Sequence, residues 1–483
     1  MPCLFYTDGN SMNFNSLINH ETKTISWAAL ILTISASISR LLGLVRDWLL
    51  AKTFGASPDL DVYFAAFKIP DFVYNIVILG GISVAFLPLF ARYFSQDKRK
   101  AWGFVSNVLN IFLILLIVVS ILLFIFTPLL IRMVAPGFSH EQMGKTVLLT
   151  RIMFLSPIFF GLSSILSGIL QHFNRFLVYS LCPLLYNLGI IFGILFLAPT
   201  LGILGVALGV ILGSFLHLTI QIPSAAQCGF SWKPLFDLGD KRIKKVFLLM
   251  APRTVGISAQ QINLVVMGAV ASTLGEGAVS IFNFANNIQY FPVGIIGVSF
   301  ALALFPTLSK SWGEGRKDEF VQKFRRTFFQ VFYLIIPISL AIFILREPIV
   351  KIILLHGQFS PWAAKITASA LGLFCLGIFA SSLIPLISRA FFSLQDTKTP
   401  TIIALLSMGF NVILSVFLTS ILKPSTNYLL GIKLQEMLRN IFSLSGIENI
   451  SILGLPLAVS LSAIFQLFLL LLFLRQKLKL QKS

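Results

Sequence analysis

What this sequence has least of is charge. Only 11% of its 483 residues are charged, where an ordinary soluble domain carries about a quarter. The shortage falls on the acidic side, with 18 Asp and Glu against 37 Lys and Arg. So few ionic groups cannot clothe a water-soluble surface. Cysteine is equally sparse: Cys3, Cys182, Cys228 and Cys375 have no metal-ligand or redox spacing and read as ordinary apolar residues. The histidines, His20, His140, His172, His217 and His356, are isolated, and no HExxH, P-loop, GxSxG or DxD-rich loop occurs. An ATPase, a zinc enzyme and a membrane hydrolase are therefore not expected. Residues 1–25 are polar without a basic n-region, so no cleaved signal peptide is expected, and Met12 competes with Met1 as the start.

What the chain does have is long apolar runs. It is 57% hydrophobic, with a mean hydropathy of +0.90, and runs of about 20 residues recur from Trp27 almost to the end. The expectation is an all-α polytopic membrane protein with about twelve spans. They fall near 26–53, 61–93, 104–134, 146–173, 177–198, 201–222, 244–274, 277–310, 325–346, 362–392, 399–422 and 450–475. Lys98–Lys100, the 240–245 turn, the run from Gly313 to Arg326 and the basic tail 479–483 all fall on one side, and the opposite loops hold almost no Lys or Arg. By the positive-inside rule both termini are cytoplasmic. The same rule explains the formal net charge of +19 better than nucleic acid does, since no basic soluble domain is present. The long loop 423–449 lies outside, and its LLGIKLQEMLRNIF pattern suits an interfacial amphipathic helix.

The chain also repeats itself. AFLPLFARYF (Ala85–Phe94) echoes ALFPTLSKSW (Ala303–Trp312), SRLLG (Ser39–Gly43) echoes PRTVG (Pro252–Gly256), and FGASPDLD echoes LGEGAVS. The expected organisation is a polar segment (1–25), a six-helix bundle (26–235) and a second, parallel bundle (236–478). Transporters built in this way hold substrate near the midplane between their halves.

Charges that a bilayer should refuse cluster from Ser39 to Pro88: Arg40, Arg46 and Asp47 on the first span, then Asp61, Lys68 and Asp71. A charged side chain inside a membrane helix costs roughly 2.5–3.5 kcal/mol on insertion scales, so such residues turn toward a bundle interior or a wet cavity. Arg40 and Asp47, seven apart, share a helical face with Arg46 beside it. Two arginines against one aspartate leave the site positive, and guanidinium suits bidentate contact with phosphate. The plainer alternative is an Arg–Asp pair closing a helix end, or arginines snorkelling to the surface. Asp61 reads equally as an outer-mouth residue or a helix N-cap, and Lys68 and Asp71, flanking Pro70, can neutralise each other. Pro70 and Gly80–Gly81 are weak points where a helix can bend. In the second copy Arg253 opens a patch with Gln260, Gln261 and Asn263. Asn283, Asn286, Asn287 and Gln289 line the eighth span, where interhelical glue is the favoured reading. Arg151 and Arg389 are further cavity candidates.

SRLLGLVRD, FGASPDLDVYFAAFKIPD, VAPGF (Val134–Phe138), QHFNRF (Gln171–Phe176), SAQQINL, HGQFS (His356–Ser360) and SLQDTKTP (Ser393–Pro400), in this order, resemble the MurJ (MviN) family of lipid II flippases in the MOP exporter superfamily. The resemblance covers residues 27 to about 478. It implies a MATE-like fold of two bundles around a central cavity in the bacterial cytoplasmic membrane. It also implies movement of the undecaprenyl-pyrophosphate-linked peptidoglycan precursor to the periplasmic leaflet by alternating access. Implied partners are lipid II, membrane lipids and cell-wall synthesis proteins. No cofactor is implied beyond a membrane potential or an ion gradient, for which Asp47 and Asp61 are the coupling candidates. Arg40 and Arg46 match the family's cavity arginines, and Asp47 and Asp61 match sensitive positions. Lys68, Arg253 and Asn287 complete the expected substrate-binding set. Tyr74 and Asn287 stand where the family usually has arginine, Arg253 is the candidate replacement, and twelve spans stand where fourteen are common. Two other readings stay open: export of another lipid-linked oligosaccharide or a small solute, and a non-transporting cell-wall scaffold.

Overall fold

The computed structural model describes residues 25–76, 83–425 and 427–480, and all regular structure among them is helical. Hydrocarbon offers no partner to a backbone N–H or C=O, so a spanning segment must satisfy these groups within itself, as a helix does. Nine described stretches are long and apolar enough to cross a membrane, from Lys98–Val134 to Ser451–Leu478. The other three expected spans fall on Ile25–Phe54, on Pro58–Val73 with Ser83–Gln96, and on Lys241–Ser272. These are the helices that carry the buried-charge candidates or adjoin residues outside the described set, Gly80–Gly81 among them. Length and composition thus account for nine of the twelve expected spans.

The described residues pack as two compact units, one within Met1–Arg46, Ile69–Ile125 and Thr150–Val255, the other within Asp47–Lys68, Phe126–Leu149 and Gly256–Ser483. This partition by packing differs from the partition by repeat, because segment 47–68 of the first copy packs with helices of the second. The first unit has an aromatic core in which Phe86 stacks on Phe90 and Phe104, with centroids 5.7 and 6.0 Å away. The QHFNRF motif completes it: His172 and Phe173 meet Phe90 and Phe94 edge-on, and Asn174 turns the chain at a φ of 54°. The helices Phe176–Phe192 and Ile203–Thr219 cross on glycine. A Cβ at Gly189 would lie 2.3 Å from the Cα of Gly213, a close approach that small residues at four-residue spacing allow.

In the second unit the helix Pro361–Ser393 is central and packs against Gly454–Leu480, Ala278–Pro292, Ser299–Gly313 and Lys317–Ile344. Ser360 caps its start by accepting the N–H of Ala363 at 3.1 Å. The 423–449 loop contains the helix Leu429–Phe442, with Gly431, Leu438 and Phe442 buried and Leu430, Met437 and Ile441 exposed. That is the two-sided pattern its sequence suggests. One local winding recurs. The helix Ala278–Pro292 passes into π turns at Val293–Val298, and residues 74–76 of the first copy, next after the Pro58–Val73 helix, are also wound as π turns.

Candidate functional site

One face of the Ala278–Pro292 helix, read at positions 280, 283 and 287, meets three of the charged residues singled out in the sequence. Asp61 accepts from Ser280, from its N–H at 2.7 Å and from its hydroxyl at 2.6 Å. Lys68 donates from Nζ to Asn283 Oδ1 at 3.4 Å. Asp47 accepts from Asn287 Nδ2 at 3.0 Å. The spacing of three and four residues keeps all of these on one side of the helix, and together they form a polar ladder within the second unit. Asp47 and Asp61 are 5% and 1% exposed. A carboxylate so enclosed is tolerable only when hydrogen-bonded, and the amides and the helix start supply those bonds.

Asp61 proves to be a helix cap, though of a helix other than its own. Its own helix, Pro58–Val73, is capped by Ser57, whose hydroxyl accepts the N–H of Leu60 at 3.4 Å. Asp61 instead takes the N–H of Gly277 at 2.7 Å and that of Ser280. A helix start leaves four such donors without intrahelical partners, and Gly277, in the N-cap position with a φ of 76°, has no side chain with which to serve them. Asp61 therefore does for this helix what both members of a capping box do locally, at the end where the helix dipole favours negative charge.

Two family-like motifs meet the helix ends that flank these residues in the chain. A Cβ at Gly357 of HGQFS would lie 2.3 Å from the carbonyl oxygen of Lys52, which accepts the N–H of Gln358 at 3.0 Å. A Cβ at Gly137 of VAPGF would lie 2.2 Å from the carbonyl oxygen of Ser272, whose hydroxyl accepts the Gly137 N–H at 3.2 Å. Lys68 has a glycine neighbour of its own, since a Cβ at Gly268 would lie 3.3 Å from its Cε.

The arginines belong to the first unit. Arg46 donates from Nη1 to Asn187 Oδ1 at 3.3 Å. Asn187, 7% exposed, is held in turn: its Nδ2 donates to the carbonyl of Pro183 at 3.1 Å and to Ser39 Oγ at 3.3 Å. One turn before Ser39, Ser35 donates to Ser180 at 3.0 Å. The face of the first helix that carries Ser35, Ser39 and Arg46 is thus fixed to the Phe176–Phe192 helix through polar contacts, and Arg40 is exposed. Asn187 was not among the expected residues; its signal is a lone amide in the apolar run LCPLLYNLGIIF. Ser280 was likewise legible only through the echo of FGASPDLD in LGEGAVS.

Other candidates have local roles. Pro128 lacks the N–H that would bond the carbonyl of Phe124 four residues earlier, and Arg151 Nε donates to that carbonyl at 3.2 Å while its guanidinium lies 4.6 Å from the Phe124 ring centroid. Arg389 sits over Phe305 at 5.2 Å, and Tyr74 against Phe160 at 4.9 Å. Asn263 accepts from Asn411 Nδ2 at 2.9 Å, an amide pair of the interhelical kind. The side chains of Arg253 and Gln260 lie outside the described residues. Among the described residues no three His, Cys, Asp or Glu gather into a metal site.

The described residues form an all-helical, polytopic membrane fold with charged groups folded inward. Its architecture is similar to a solved inward-facing MATE family transporter of the MOP superfamily, with a TM-score of 0.71 at 17% identity over 94% of this chain and 99% of that one. The particular family follows from closer likenesses. A family model described as lipid II flippase MurJ matches residues 50–429. A probable lipid II flippase MurJ of Rickettsia prowazekii (strain Madrid E) is 31% identical over 406 residues, 83% of this chain and 79% of that protein. Lipid II flippase MurJ of Burkholderia cenocepacia is 30% identical over 377 residues, 76% of this chain and 73% of that protein. A solved lipid II flippase MurJ in an inward closed conformation superposes with a TM-score of 0.75 at 27% identity, over 92% of this chain and 87% of that one. The chain belongs to the MurJ family.

Proposed function

We propose that this protein flips lipid II from the cytoplasmic to the periplasmic leaflet by alternating access, with Arg40 and Arg46 meeting its pyrophosphate. Membership of the MurJ family carries the substrate. The observation that carries the site is the Arg46–Asn187–Ser39 chain of hydrogen bonds, which orients one guanidinium in advance while Arg40 beside it is exposed. A guanidinium–phosphate contact near 4 Å is worth on the order of 4 kcal/mol gross in a partly wet environment, and the planar fork fits two phosphate oxygens at once. The polar ladder has a different role in this reading. Its carboxylates already face amides and backbone donors, so it holds one state of the cycle shut by joining segment 47–68 of the first repeat to the Ala278–Pro292 helix of the second. Rocking the repeats apart breaks it. Arg253 and Lys68 are the further positive charges assigned to the substrate in this reading, and Asp47 and Asp61, released from the ladder, are the groups available for coupling to an ion gradient. The loop charges support a reading in which both termini are cytoplasmic. Membrane lipids and cell-wall synthesis proteins are the remaining partners.

The test is complementation in bacteria depleted of their own flippase, scoring lipid II exposed on the periplasmic face at matched protein levels. The unaltered chain should rescue, and Arg40→Ala and Arg46→Ala should not. Failure of a well-inserted unaltered chain would remove lipid II as the substrate. Rescue by both variants would keep the substrate and remove the arginine site.

A further inference from the structure

Between the helices Gln221–Gln227 and Lys241–Ser272 runs the segment GFSWKPLFDLGD, without regular structure yet pinned along much of its length to the helix Lys98–Val134. Asn107 grips the backbone of Asp237 in both directions, donating to its carbonyl at 2.9 Å and accepting its N–H at 2.8 Å. Asn110 donates to the carbonyls of Lys233 and Leu235, both at 2.8 Å, and accepts the indole N–H of Trp232 at 2.8 Å. Ser106 accepts the N–H of Lys233 at 3.2 Å. Asn107 and Asn110 are 3% and 8% exposed, two amides set inside an apolar helix and matched to a backbone that would otherwise lack partners.

What this strap presents outward is apolar. Trp232 is 57% exposed, Phe236 53%, Leu238 57% and Leu235 43%. Isolated exposed apolar residues need no explanation, but four within seven residues, on a backbone fixed by buried amides, make a surface built to be covered. Its level along the helix says by what. Between Ala101 and Leu113 the helix Lys98–Val134 has no exposed residue, and from Ile114 onward it presents exposed Ile, Val, Leu and Phe. Asn110 lies about one turn, ~6 Å, before that band begins. The strap therefore sits at the edge of the lipid-facing surface, the level at which tryptophan is enriched. The charge around it is mostly positive: Lys98, Arg99, Lys100, Lys233, Lys241, Lys244 and Lys245 are all exposed, while of the acids Asp97 pairs with Lys100 at 3.7 Å, Asp240 with Arg242 at 2.7 Å, and the exposed Asp237 accepts the Gly239 N–H at 2.8 Å.

We propose that the 229–240 strap is a membrane seat that inserts Trp232, Leu235, Phe236 and Leu238 into the interface and recognises the phosphate headgroups of anionic lipids through the surrounding lysines. A soluble protein partner would need no such register with the hydrocarbon edge, and basic residues beside apolar anchors are the arrangement that draws anionic bilayer surfaces.

The experiment uses the full chain in nanodiscs of phosphatidylcholine, with or without phosphatidylglycerol. The Trp232 emission is isolated as the difference between the unaltered chain and Trp232→Phe, and quenching by lipids brominated near the headgroup is compared with quenching by aqueous iodide. The expected result is strong quenching by the shallow brominated lipid and little by iodide. Spin-labelled phosphatidylglycerol should quench Trp232 more than spin-labelled phosphatidylcholine, a preference that falls severalfold in Lys241→Gln/Lys244→Gln/Lys245→Gln. Iodide quenching without lipid quenching would overturn the seat and leave a protein partner as the occupant. Equal quenching by the two spin-labelled lipids would overturn the recognition of anionic headgroups. None of these readouts depends on flippase activity, so failure here and failure of complementation are distinguishable.

Discussion

Ser280 gives Asp61 both its backbone N–H and its hydroxyl, at 2.7 and 2.6 Å, across 219 residues of chain. The two residues come from the loops FGASPDLD and LGEGAVS, which echo each other in the sequence. Short-range capping stabilises a helix where it starts. Capping from a distant segment also fixes where that helix lies, and in the proposed cycle this cap is the latch that opens.

The first prediction concerns that latch. Asp61→Ala strands the Gly277 N–H, the Ser280 N–H and the Ser280 hydroxyl together, and the expected cost is on the order of 3 kcal/mol. Asp61→Asn should cost less: its oxygen still accepts from Ser280, while its amide opposes the Gly277 N–H. Ser280→Ala removes one hydroxyl bond and should cost about 1 kcal/mol. Thermal unfolding in detergent should rank the three in that order. Equal effects from Asp61→Ala and Ser280→Ala would mean that the backbone donors do not need Asp61.

Much of the fold was legible because apolar length is a coarse quantity. Runs such as VLNIFLILLIVVSILLFIF admit only a membrane helix, and the Leu429–Phe442 helix followed from its two-sided pattern. The site was legible by residue type and not by pairing. Arg46 and Asp47 are neighbours in sequence and were expected to work together, yet successive side chains leave a helix about 100° apart, and these two reach different helices, Asn187 in one case and Asn287 in the other. Asp61 reads from sequence equally as an outer-mouth residue or a cap, and the structure has it capping a distant helix, which sequence does not show because it reveals a cap only within a few residues of itself. The glycines of VAPGF and HGQFS carry only family likeness in the sequence, and the structure shows backbone oxygens lying where their side chains would be.

A second prediction separates positioning from charge at Arg46. Asn187→Ala removes the acceptor that holds its guanidinium but leaves both arginines in place. The loss should be that of one hydrogen bond, about 1 kcal/mol or roughly fivefold in apparent affinity for a pyrophosphate-bearing lipid. Asn187→Asp sets a carboxylate against Arg46 and competes with phosphate for it, so the loss should be larger although the side chain keeps its shape. Binding measured on the reconstituted protein tests this. A milder effect from Asn187→Asp than from Asn187→Ala would show that Arg46 is not the phosphate ligand.

The third prediction is a pH dependence at the end of the bundle. Burial raises the Asp396 carboxyl, but hydrogen bonds from Lys477 and from the N–H and hydroxyl of Thr399 outweigh it and hold its pKa below the ordinary carboxylate value. A carboxyl depressed in the folded state contributes stability above its unfolded pKa, near 4, and loses that contribution as pH falls through the lower folded value. The unaltered protein should therefore lose its advantage over Asp396→Asn below about pH 4, while the gap between them stays constant from pH 6 to 8 in unfolding midpoints. A gap that persists undiminished below the folded pKa would mean that the Lys477 contact does not depend on the carboxylate's charge.

The last prediction addresses the departure from the family pattern at Asn287, where the resemblance implies arginine. Asn287 is half-buried and spends an amide proton on Asp47 at 3.0 Å. Asn287→Arg replaces a neutral donor with a charged one, and a charge-assisted bond to a carboxylate is roughly twice as strong as a neutral one. The variant should fold, keep the ladder and retain flipping, with greater sensitivity to salt if the new charge also reaches the substrate. Asn287→Asp does the reverse by placing a second carboxylate against a nearly buried one, removing the donor to Asp47 and setting like charges against each other. It should destabilise the protein by about 1–3 kcal/mol and fail to complement. Complementation at matched expression, paired with unfolding midpoints, distinguishes the cases. If Asn287→Arg abolishes flipping in a stable protein, this chain has moved its positive charge elsewhere, and Arg253 becomes the residue to test by the same assay.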